Sequence, residues 1–302
     1  MKQEKQEHHF RHALLRVLLR VLLAVLAVLV VALPYYYVTS LALTVTTYTL
    51  EARVVSPLRI VHLSDLHNSQ FGDRNEELVA LAAAQEPDLI FLSGDMLNRD
   101  DENTEIVSSL ISDLSAVAPV YYGYGNHEKS WETRFGRDLR PILEAAGAVV
   151  VDNDYVDLEL KGTPIRIGGY MGYYPVPHMT TGDKEQQALE IAFSKDFENT
   201  DRVKLLINHI PTGWLEWNYV NKYPVDVVFS GHYHGGLIRI PLIDRGLYAP
   251  YVKWFPSFSK GVLSGTLATC VLSGGLGSER HIPRINNPPE IVVVDLVPKS
   301  EV

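Results

Sequence analysis

The sequence predicts an α/β layered domain that follows one membrane-spanning helix. An uninterrupted apolar run occupies residues 21–33, near the N-terminus. Beyond it, short apolar runs alternate with helical patterns, and this alternation is typical of layered α/β domains. Five of the runs end in Asp, Asn or His. Because sites in such sheets form beyond the carboxyl ends of the strands, we expect these polar residues to meet at one edge.

The N-terminal segment has the composition of a membrane anchor. Basic residues precede the apolar run, and Pro34 and the tyrosines at 35–37 follow it. The run alone is short, because the hydrocarbon core of a bilayer requires roughly 20 residues. Arg16 and Arg20 can extend to one interface and the tyrosines can occupy the other, so a helix over residues 14–37 reaches across.

The flanking charges predict the orientation of this helix. The positive flank is expected to stay in the cytoplasm, which makes the chain a single-pass cell-membrane protein with an extracytoplasmic domain. We expect residues 1–42 to form the cytoplasmic tail and anchor, and residues 43–302 to form the catalytic domain. Two alternatives remain open: a buried helix, and a signal peptide cleaved near the small-x-small sequence Ser40-Leu41-Ala42.

The overall composition limits the classes of partner. The chain has 302 residues and a formal net charge of −9. A nucleic acid polymer is not expected as a partner, because its binding needs a basic face. A phosphorylated substrate remains compatible, since bound metal can invert the local charge. The one cysteine, Cys270, cannot form an internal disulfide and lies in an apolar run, where it is expected to pack as a small apolar side chain.

The periodicity predicts the elements of the domain in order. Short apolar runs bounded by polar residues and glycine indicate strands, and longer mixed stretches between them indicate helices. Strands are predicted at residues 43–55, 58–63, 88–92, 120–124, 149–160, 163–168, 203–207, 225–229, 267–272 and 291–297. Helices are predicted at residues 76–85, 102–117, 137–146 and 184–197. Residues 170–183 are rich in Gly, Pro, Tyr and Thr, which predicts a loop near the site.

Five polar clusters follow five of these strands. Each cluster alone also occurs as a turn, a helix cap or a structural histidine, so that no single one indicates catalysis. The clusters are Ser64-Asp65-Leu66-His67, Ser93-Gly94-Asp95, Gly125-Asn126-His127-Glu128, Asn208-His209 and Gly231-His232-Tyr233-His234.

Together the clusters predict a site for two metal ions. Carboxylate oxygens and imidazole nitrogens suit Mn, Fe and Zn. The candidate ligands exceed what one tetrahedral metal needs, and they suit a metal pair if one carboxylate bridges. Paired metals clamp a phosphoryl group and convert bound water to hydroxide at neutral pH. The candidate ligands are Asp65, His67, Asp95, Asn126, His209, His232 and His234.

The set and order of these motifs resemble the calcineurin-like metallophosphoesterases, and the intervening sequence resembles their membrane-associated bacterial branch. The resemblance extends over residues 58–297. Supporting stretches include Pro87-Asp88-Leu89-Ile90, Gly275-Leu276-Gly277 and Pro289-Glu290-Ile291. That branch usually has Thr and Gln where this chain has Tyr233 and Leu237. Neither position is a ligand, so the departure concerns the surroundings of the metals and the fit of the substrate.

The resemblance implies a four-layer α-β-β-α sandwich and a role for each motif residue. His127 would lie near the substrate as a general acid that protonates the leaving oxygen. Its alternative role is to position other groups. The implied ligands are Asp65, His67 and His234 for the first metal, Asn126, His209 and His232 for the second, and Asp95 as the bridge.

Two local expectations concern the last motif. Gly231 is expected to let the chain turn sharply after the strand. In extended geometry, residues one position apart point the same way, which would turn His232 and His234 inward and Tyr233 away.

A lipid-facing rim is a further possibility that the aromatic residues leave open. Amphipathic aromatic side chains favour membrane interfaces, and ordinary core packing is the alternative. The residues concerned are Trp214, Trp217, Trp254 and Phe255.

These observations predict a dinuclear metal-dependent phosphoesterase. Its expected substrate is a phosphate monoester, diester or pyrophosphate, carried by a small molecule, a lipid or a cell-envelope component. One alternative is a non-catalytic membrane-anchored scaffold on the same fold, which would be expected to have lost ligands. Another is a metal-dependent hydrolase of a different ester.

Overall fold

The chain begins with a long helix that contains the apolar run. In this computed structural model, which describes residues 2–174, 184–241, 243, 245–249, 253–278 and 283–299, helix α1 covers Lys2–Tyr36 and continues into a π-helical turn, Tyr37–Leu41. The stretch Leu14–Leu41 is long and apolar enough to cross a membrane, and its most apolar part is not buried against the domain. This helix is compatible with a single-pass anchor, and a signal sequence has the same features.

The remaining helices and the strands follow in chain order. The helices are α2 (Glu76–Ala83), α3 (Glu105–Ser115), α4 (Asn126–Phe135), α5 (Arg140–Ala145), α6 (Lys184–Glu198) and α7 (Thr212–Glu216). The strands are β1 (Thr44–Ala52), β2 (Leu58–Leu63), β3 (Leu89–Leu92), β4 (Val120–Gly123), β5 (Ala148–Val151), β6 (Asp154–Leu160), β7 (Thr163–Gly169), β8 (Val203–Ile207), β9 (Val227–Ser230), β10 (Arg239–Ile240), β11 (Arg245–Gly246), β12 (Tyr248–Ala249), β13 (Lys253–Trp254), β14 (Gly261–Ser264), β15 (Thr269–Leu272) and β16 (Glu290–Pro298).

Two mixed sheets form the centre of the domain. The first has the strand order β1-β16-β2-β3-β4-β5, in which β2, β3, β4 and β5 are parallel. The second has the order β14-β15-β9-β8-β7-β6, in which β15, β9, β8 and β7 are parallel. The carboxyl ends of β2, β3 and β4 therefore lie along one edge of the first sheet, and those of β8 and β9 along one edge of the second.

Three buried apolar clusters separate four layers. The two sheets pack face to face around side chains such as Ile60, Phe91 and Phe229. A second cluster covers the outer face of the first sheet with side chains of α2, α3 and α5. The third covers the outer face of the second sheet, where Phe197 of α6 and Trp214 of α7 are buried. The predicted α-β-β-α sandwich is confirmed.

Two local predictions are corrected. Residues 149–160, predicted as one strand, form β5 in the first sheet and β6 in the second. Asn153 lies between them with a φ of +50°, and this left-handed turn carries the chain from one sheet to the other.

Helix α4 was not predicted, because its sequence is polar and only one side of it is buried. Of the predicted loop, residues 175–183 lie outside the described part of the chain.

Candidate metal centre

The five strand ends meet through close backbone contacts. The amide of Asp65 donates to the carbonyl of Gly94 (3.0 Å), which joins the loops after β2 and β3. The amide of Gly231 donates to the carbonyl of His209 (3.2 Å), which joins the loops after β8 and β9. Gly94 is required here, because a Cβ atom on it would lie 2.3 Å from the amide nitrogen of Gly125.

The first cluster of possible ligands consists of Asp65, His67 and His234. One ligand atom from each lies within 4.8 Å of the others, and all three side chains are buried. His234 Nε2 is 3.5 Å from Asp65 Oδ1, and the rings of His67 and His234 are stacked with centroids 5.0 Å apart.

The second cluster consists of Asp95, His209 and His232, within the same distance limit. His209 Nε2 is 3.1 Å from Asp95 Oδ2, and His232 Nδ1 is 3.2 Å from His209 Nε2. Asp95 Oδ2 also lies 3.9 Å from His67 Nε2 in the first cluster. Asp95 is therefore positioned between the two clusters.

Outer hydrogen bonds orient three of the imidazoles. His209 Nδ1 donates to the carbonyl of Ser93 (2.7 Å), and His234 Nδ1 lies 3.3 Å from the carbonyl of Gly277. His67 Nδ1 lies 3.2 Å from Asn98 Oδ1. In each ring the Nδ1 atom faces a protein oxygen, which leaves Nε2 as the nitrogen available to the site. This arrangement is typical of histidines that bind metal.

The backbone of the ligand loops is strained. Five of the predicted ligands adopt left-handed φ angles, between +47° and +72°, which residues other than Gly rarely take. Strained backbone of this kind clusters at functional sites. These ligands are Asp65, His67, Asp95, His232 and His234. The expected extended geometry of the last two is wrong: a left-handed turn, rather than a strand, brings their side chains to the site.

Burial and neighbouring charges shift the pKa values of several of the predicted ligands. Burial opposes the ionised form of Asp95, but His209 outweighs it and holds the carboxyl pKa well below its usual range. Burial opposes the charged form of His209, but Asp95 outweighs it and raises the pKa of His209 to about 9. Burial, together with neighbouring imidazoles, lowers the pKa values of His67 and His232 well below 6.5.

The donor set fits two divalent metal ions. Among the described residues, His67 Nε2 and Asn126 Oδ1 are buried side-chain atoms without a hydrogen-bond partner. Buried polar atoms of this kind normally have a partner, and a bound cation would supply one. Oxygen and imidazole donors without cysteine suit Mn, Fe or Zn.

His127 lies beside the first cluster, and one of its ring nitrogens is within 4.8 Å of ligand atoms of His67 and Asp95. Its ring centroid is 4.5 Å from that of His67, and its side chain is buried. The amide of Arg99 donates to His127 Nδ1 (3.2 Å), so in the neutral ring the proton resides on Nε2. The amide of His127 donates to Asp95 Oδ1 (2.8 Å). A cleft of about 740 Å³ opens at His67 and His127.

Sequence reasoning gave no role to Glu128, which is fully buried behind the site. Its carboxylate accepts hydrogen bonds from the amides of Asp95 (2.9 Å), Met96 (2.9 Å) and Gly125 (2.8 Å) and from the hydroxyl of Tyr122 (2.7 Å). Burial raises the pKa of Glu128, and the charge of Asp95 adds to this. One side chain thus joins the loops that carry Asp95 and the Asn126 motif. The only signal in the sequence was its position at the end of that motif.

Arg284 is a second residue that sequence reasoning missed. It is buried and donates to the carbonyls of Gly274 (2.5 Å), Gly277 (2.7 Å) and Asn287 (2.8 Å). Burial lowers its pKa to about 10. Because the Gly277 carbonyl also faces His234 Nδ1, Arg284 supports the orientation of that imidazole.

The glycines of the last motif act differently from the expectation. Gly231 does not have a positive φ; a Cβ atom on it would lie 1.9 Å from Ser64 Oγ and 2.3 Å from Asp65 Oδ2. Its small size therefore lets the loop approach Asp65. The chain turns instead at Gly235 and Gly236, which have φ values of +62° and +82°.

The two departures from the resembling branch lie next to this turn. Tyr233 points away from the ligand clusters, is fully buried and lies 3.0 Å from Thr212 Oγ1 through its hydroxyl. Leu237 has φ +58° and ψ −66°, and the amide of Ile238 donates to the carbonyl of Gly236 (2.7 Å) across it. This narrow turn is a strained conformation for a branched side chain.

Of the two alternatives left open for the aromatic residues, Trp214 takes core packing. That side chain is fully buried, and its Nε1 donates to Asn208 Oδ1 (2.6 Å). Trp217, Trp254 and Phe255 are exposed, at 43%, 65% and 49%.

Comparison with known proteins identifies relatives of this chain. The family model described as calcineurin-like phosphoesterase matches residues 58–236. The metallophosphoesterase YkoQ of Bacillus subtilis is 31% identical over 187 residues, which cover 61% of this chain and 63% of YkoQ. The phosphodiesterase YaeI of Escherichia coli is 28% identical, covering 80% and 83% of the two chains. The UDP-2,3-diacylglucosamine pyrophosphatase LpxG of Chlamydia muridarum is 22% identical, covering 78% and 83%.

Proposed function

We propose that this chain, which belongs to the calcineurin-like phosphoesterase family, is a membrane-anchored enzyme. It uses two divalent metal ions to hydrolyse a phosphate monoester, diester or pyrophosphate. The observation that carries the proposal is the pair of buried Asp and His clusters with Asp95 between them. YaeI is a phosphodiesterase and LpxG is a pyrophosphatase, which supports both kinds of phosphate bond as targets.

The metals, Mn, Fe or Zn, would supply an activated water and offset the charge of the phosphoryl group. The chain contributes a rigid frame for them, since Glu128 and Arg284 hold the loops that carry the ligands. The proposed ligands are Asp65, His67 and His234 for the first metal, Asn126, His209 and His232 for the second, and Asp95 for both.

His127 is proposed to act on the departing oxygen as a hydrogen-bond donor. Its Nε2 atom carries the proton of the neutral ring, since Nδ1 accepts from the Arg99 amide. The ring borders the cleft beside His67, where a phosphate ester would lie. A hydrogen bond from Nε2 to the departing oxygen would offset the negative charge that develops there, and the leaving group would take its proton from solvent while the ring stays neutral.

The anchor supports a substrate of the cell envelope. Helix α1 is proposed as an uncleaved single-pass anchor over residues 1–42, with residues 43–302 outside the cytoplasm. Such an anchor holds the site close to lipid headgroups and envelope polymers. LpxG is named for a lipid-linked pyrophosphate, and we propose a related class of lipid or envelope substrate for this chain.

A metal-loaded activity screen tests the proposal. The full-length protein in detergent is stripped with a chelator, reloaded with Mn²⁺, Fe²⁺ or Zn²⁺, and assayed against chromogenic phosphate monoesters and diesters, carboxyl esters and lipid pyrophosphates. We expect turnover of phosphate substrates only after reloading. Metal uptake without turnover of any ester would favour a scaffold, and turnover of carboxyl esters alone would favour a different hydrolase.

A membrane extraction tests the anchor separately. Alkaline carbonate washing of membranes is expected to leave the full-length protein in the pellet. Release of a form that begins near Leu43 would identify a cleaved signal peptide instead.

A further inference from the structure

The end of the N-terminal helix is joined directly to the catalytic domain. The hydroxyl of Tyr35 donates to Asn286 Oδ1 (3.1 Å), and the amide of Asn286 donates to Ser40 Oγ (3.0 Å). Ser40 is fully buried. Four residues later, the amide of Thr44 donates to the carbonyl of Pro289 (2.9 Å) as β1 begins. These contacts fix the place on the domain at which the apolar helix ends.

Two short hairpins lie beside this attachment point. They are β10–β11 and β12–β13, within residues 238–256. The side chain of Asn286, which contacts the helix, also donates to the carbonyl of Arg239 (3.4 Å). The amide of Arg239 donates to the carbonyl of Ile285 (2.9 Å). The same stretch of chain therefore contacts both the end of the helix and the hairpins.

The hairpins expose large apolar side chains. We call Ile243, Tyr248, Trp254 and Phe255 the hairpin surface; their exposed fractions are 64%, 37%, 65% and 49%. The rings of Tyr248 and Trp254 pack against each other, with centroids 5.5 Å apart. Elsewhere in the described chain, Trp131 and Trp214 are fully buried. Exposed apolar side chains grouped in this way mark a surface that contacts a partner.

The charge around the hairpin surface differs from that of the whole chain. Residues 238–256 contain three basic residues, of which Arg239 is buried, and one acidic residue, whereas the chain carries −9 overall. Arg245 is exposed beside the hairpin surface. Amphipathic aromatic rings with basic neighbours favour the headgroup region of anionic membranes.

We propose that the hairpin surface inserts into the headgroup region of the bilayer next to helix α1. This inference rests on the proposed function, in which α1 spans the membrane. The end of α1 and the hairpins both contact residues 285–286. When α1 spans the bilayer, the hairpins therefore lie close to the bilayer as well. Burial of the exposed rings in the interface then removes apolar surface from water, which favours this position.

The consequence concerns the position of the metal centre. The amide of Leu247 donates to the carbonyl of Gly236 (3.2 Å), and a Cβ atom on Gly236 would lie 2.4 Å from Gly246 Cα. The hairpins thus pack directly on the turn that follows His234. A hairpin surface seated among headgroups places this edge of the site at headgroup level, and the substrate class becomes a phosphate or pyrophosphate on a membrane lipid.

Depth measurements with a nitroxide label test the contact. The full-length chain with Cys270→Ala carries one new cysteine, Phe255→Cys or Ile243→Cys, and is reconstituted into nanodiscs of phosphatidylcholine and phosphatidylglycerol. Cys270 is the one native cysteine, so its replacement leaves the new cysteine as the single thiol. The native thiol is fully buried, and burial raises its pKa to about 12. Val149→Cys is the matched control, because Val149 is 39% exposed on β5, at the opposite edge of the sheet from β1.

Collision rates with oxygen and with a water-soluble nickel chelate give the depth. Labels at 255 and 243 are expected to collide more with oxygen, and the label at 149 more with nickel. Equal profiles at all three positions would overturn the inference.

Two further readouts separate this inference from the proposed function. Labels in water, with the protein retained after carbonate washing and active on a chromogenic diester, overturn the membrane contact alone. Labels in lipid without turnover of any ester overturn the proposed enzyme and leave the contact standing. Release by carbonate overturns both the anchor and the contact.

Discussion

The carboxylate of Glu128 accepts the backbone amide of Asp95 at 2.9 Å, although 33 positions separate the two residues. Glu128 Oε1 accepts hydrogen bonds from the amide of Met96 and the hydroxyl of Tyr122, and Oε2 accepts a second one from the amide of Gly125. Each oxygen of one buried side chain thus receives two donors. The loop that carries Asp95 and the start of α4 are held together by this single group.

Substitution of Glu128 by Gln is expected to destabilise the fold. The amide group places a donor where two donors already point, and a buried unsatisfied group costs about 1–3 kcal/mol, so we expect a loss of about 2–4 kcal/mol. Denaturant unfolding in detergent measures the free energy. Glu144→Gln, at an exposed position, is the control and should change it by less than about 0.5 kcal/mol. Equal stability of the two variants would contradict the role of Glu128.

Asp95→Ala is expected to remove both metal content and activity. Asp95 lies between the two clusters, and its loss leaves the remaining imidazoles with one fewer negative charge to hold cations. Elemental analysis of the purified protein and hydrolysis of a chromogenic ester measure the two effects. Asp113→Ala, far along α3 and 40% exposed at its side chain, should retain both. Two bound metals in Asp95→Ala would show that Asp95 is not the bridge.

His127→Ala is expected to lower turnover by about 10²–10⁴-fold while metal stays bound. The loss should be larger for an alkyl ester than for a nitrophenyl ester, because the negative charge on a poor leaving group depends more on stabilisation by the Nε2 hydrogen bond. Turnover of both esters by wild type and variant, with metal analysis, measures this. Loss of metal, or an equal loss for both esters, would assign His127 a positioning role instead.

Arg284→Gln is expected to weaken metal binding by about 10–100-fold, because the Gly277 carbonyl would no longer be held against His234 Nδ1. Competition with a chelator measures the affinity, and Arg284→Lys should restore part of it. Arg140→Gln, on the surface of α5, is the control. Unchanged affinity in Arg284→Gln at unchanged stability would exclude this role.

His62 makes the fold sensitive to acid. Burial lowers its pKa from 6.5 to about 3, and its Nε2 atom lies 2.7 Å from Ser93 Oγ. The neutral ring is favoured in the folded state, so its contribution is complete above pH 6.5 and is lost as the pH falls toward 3. The loss is at most about 1.4 kcal/mol per pH unit. Denaturant unfolding between pH 4 and 8 should show a steeper decline for wild type than for His62→Gln; parallel curves would contradict this.

Much of the fold follows from local pattern. Apolar runs that end in Asp, Asn or His indicated the buried strands. They also indicated the sheet edge at which these side chains lie, because the residues that follow a strand lie at its carboxyl end. Seven of the eight predicted site residues meet in close groups at that edge, and Asn126 begins α4 directly before His127; their roles stay predictions. The helices from 76, 105, 140 and 184 also follow from periodicity.

The rest depends on contacts between residues distant in sequence. The break at Asn153 arises where the chain passes from one sheet to the other, and the left-handed turns at Asp65, Asp95 and His232 arise where the strand ends meet. The burial of Trp214 comes from packing on the outer face of the second sheet. Glu128 and Arg284 gain their importance only from backbone groups that tertiary packing brings to them. The sequence by itself determined which chemical groups are available and at which strand ends they lie. Only the tertiary structure decided how they are held, because buried polar groups take their partners from wherever the packed chain provides them.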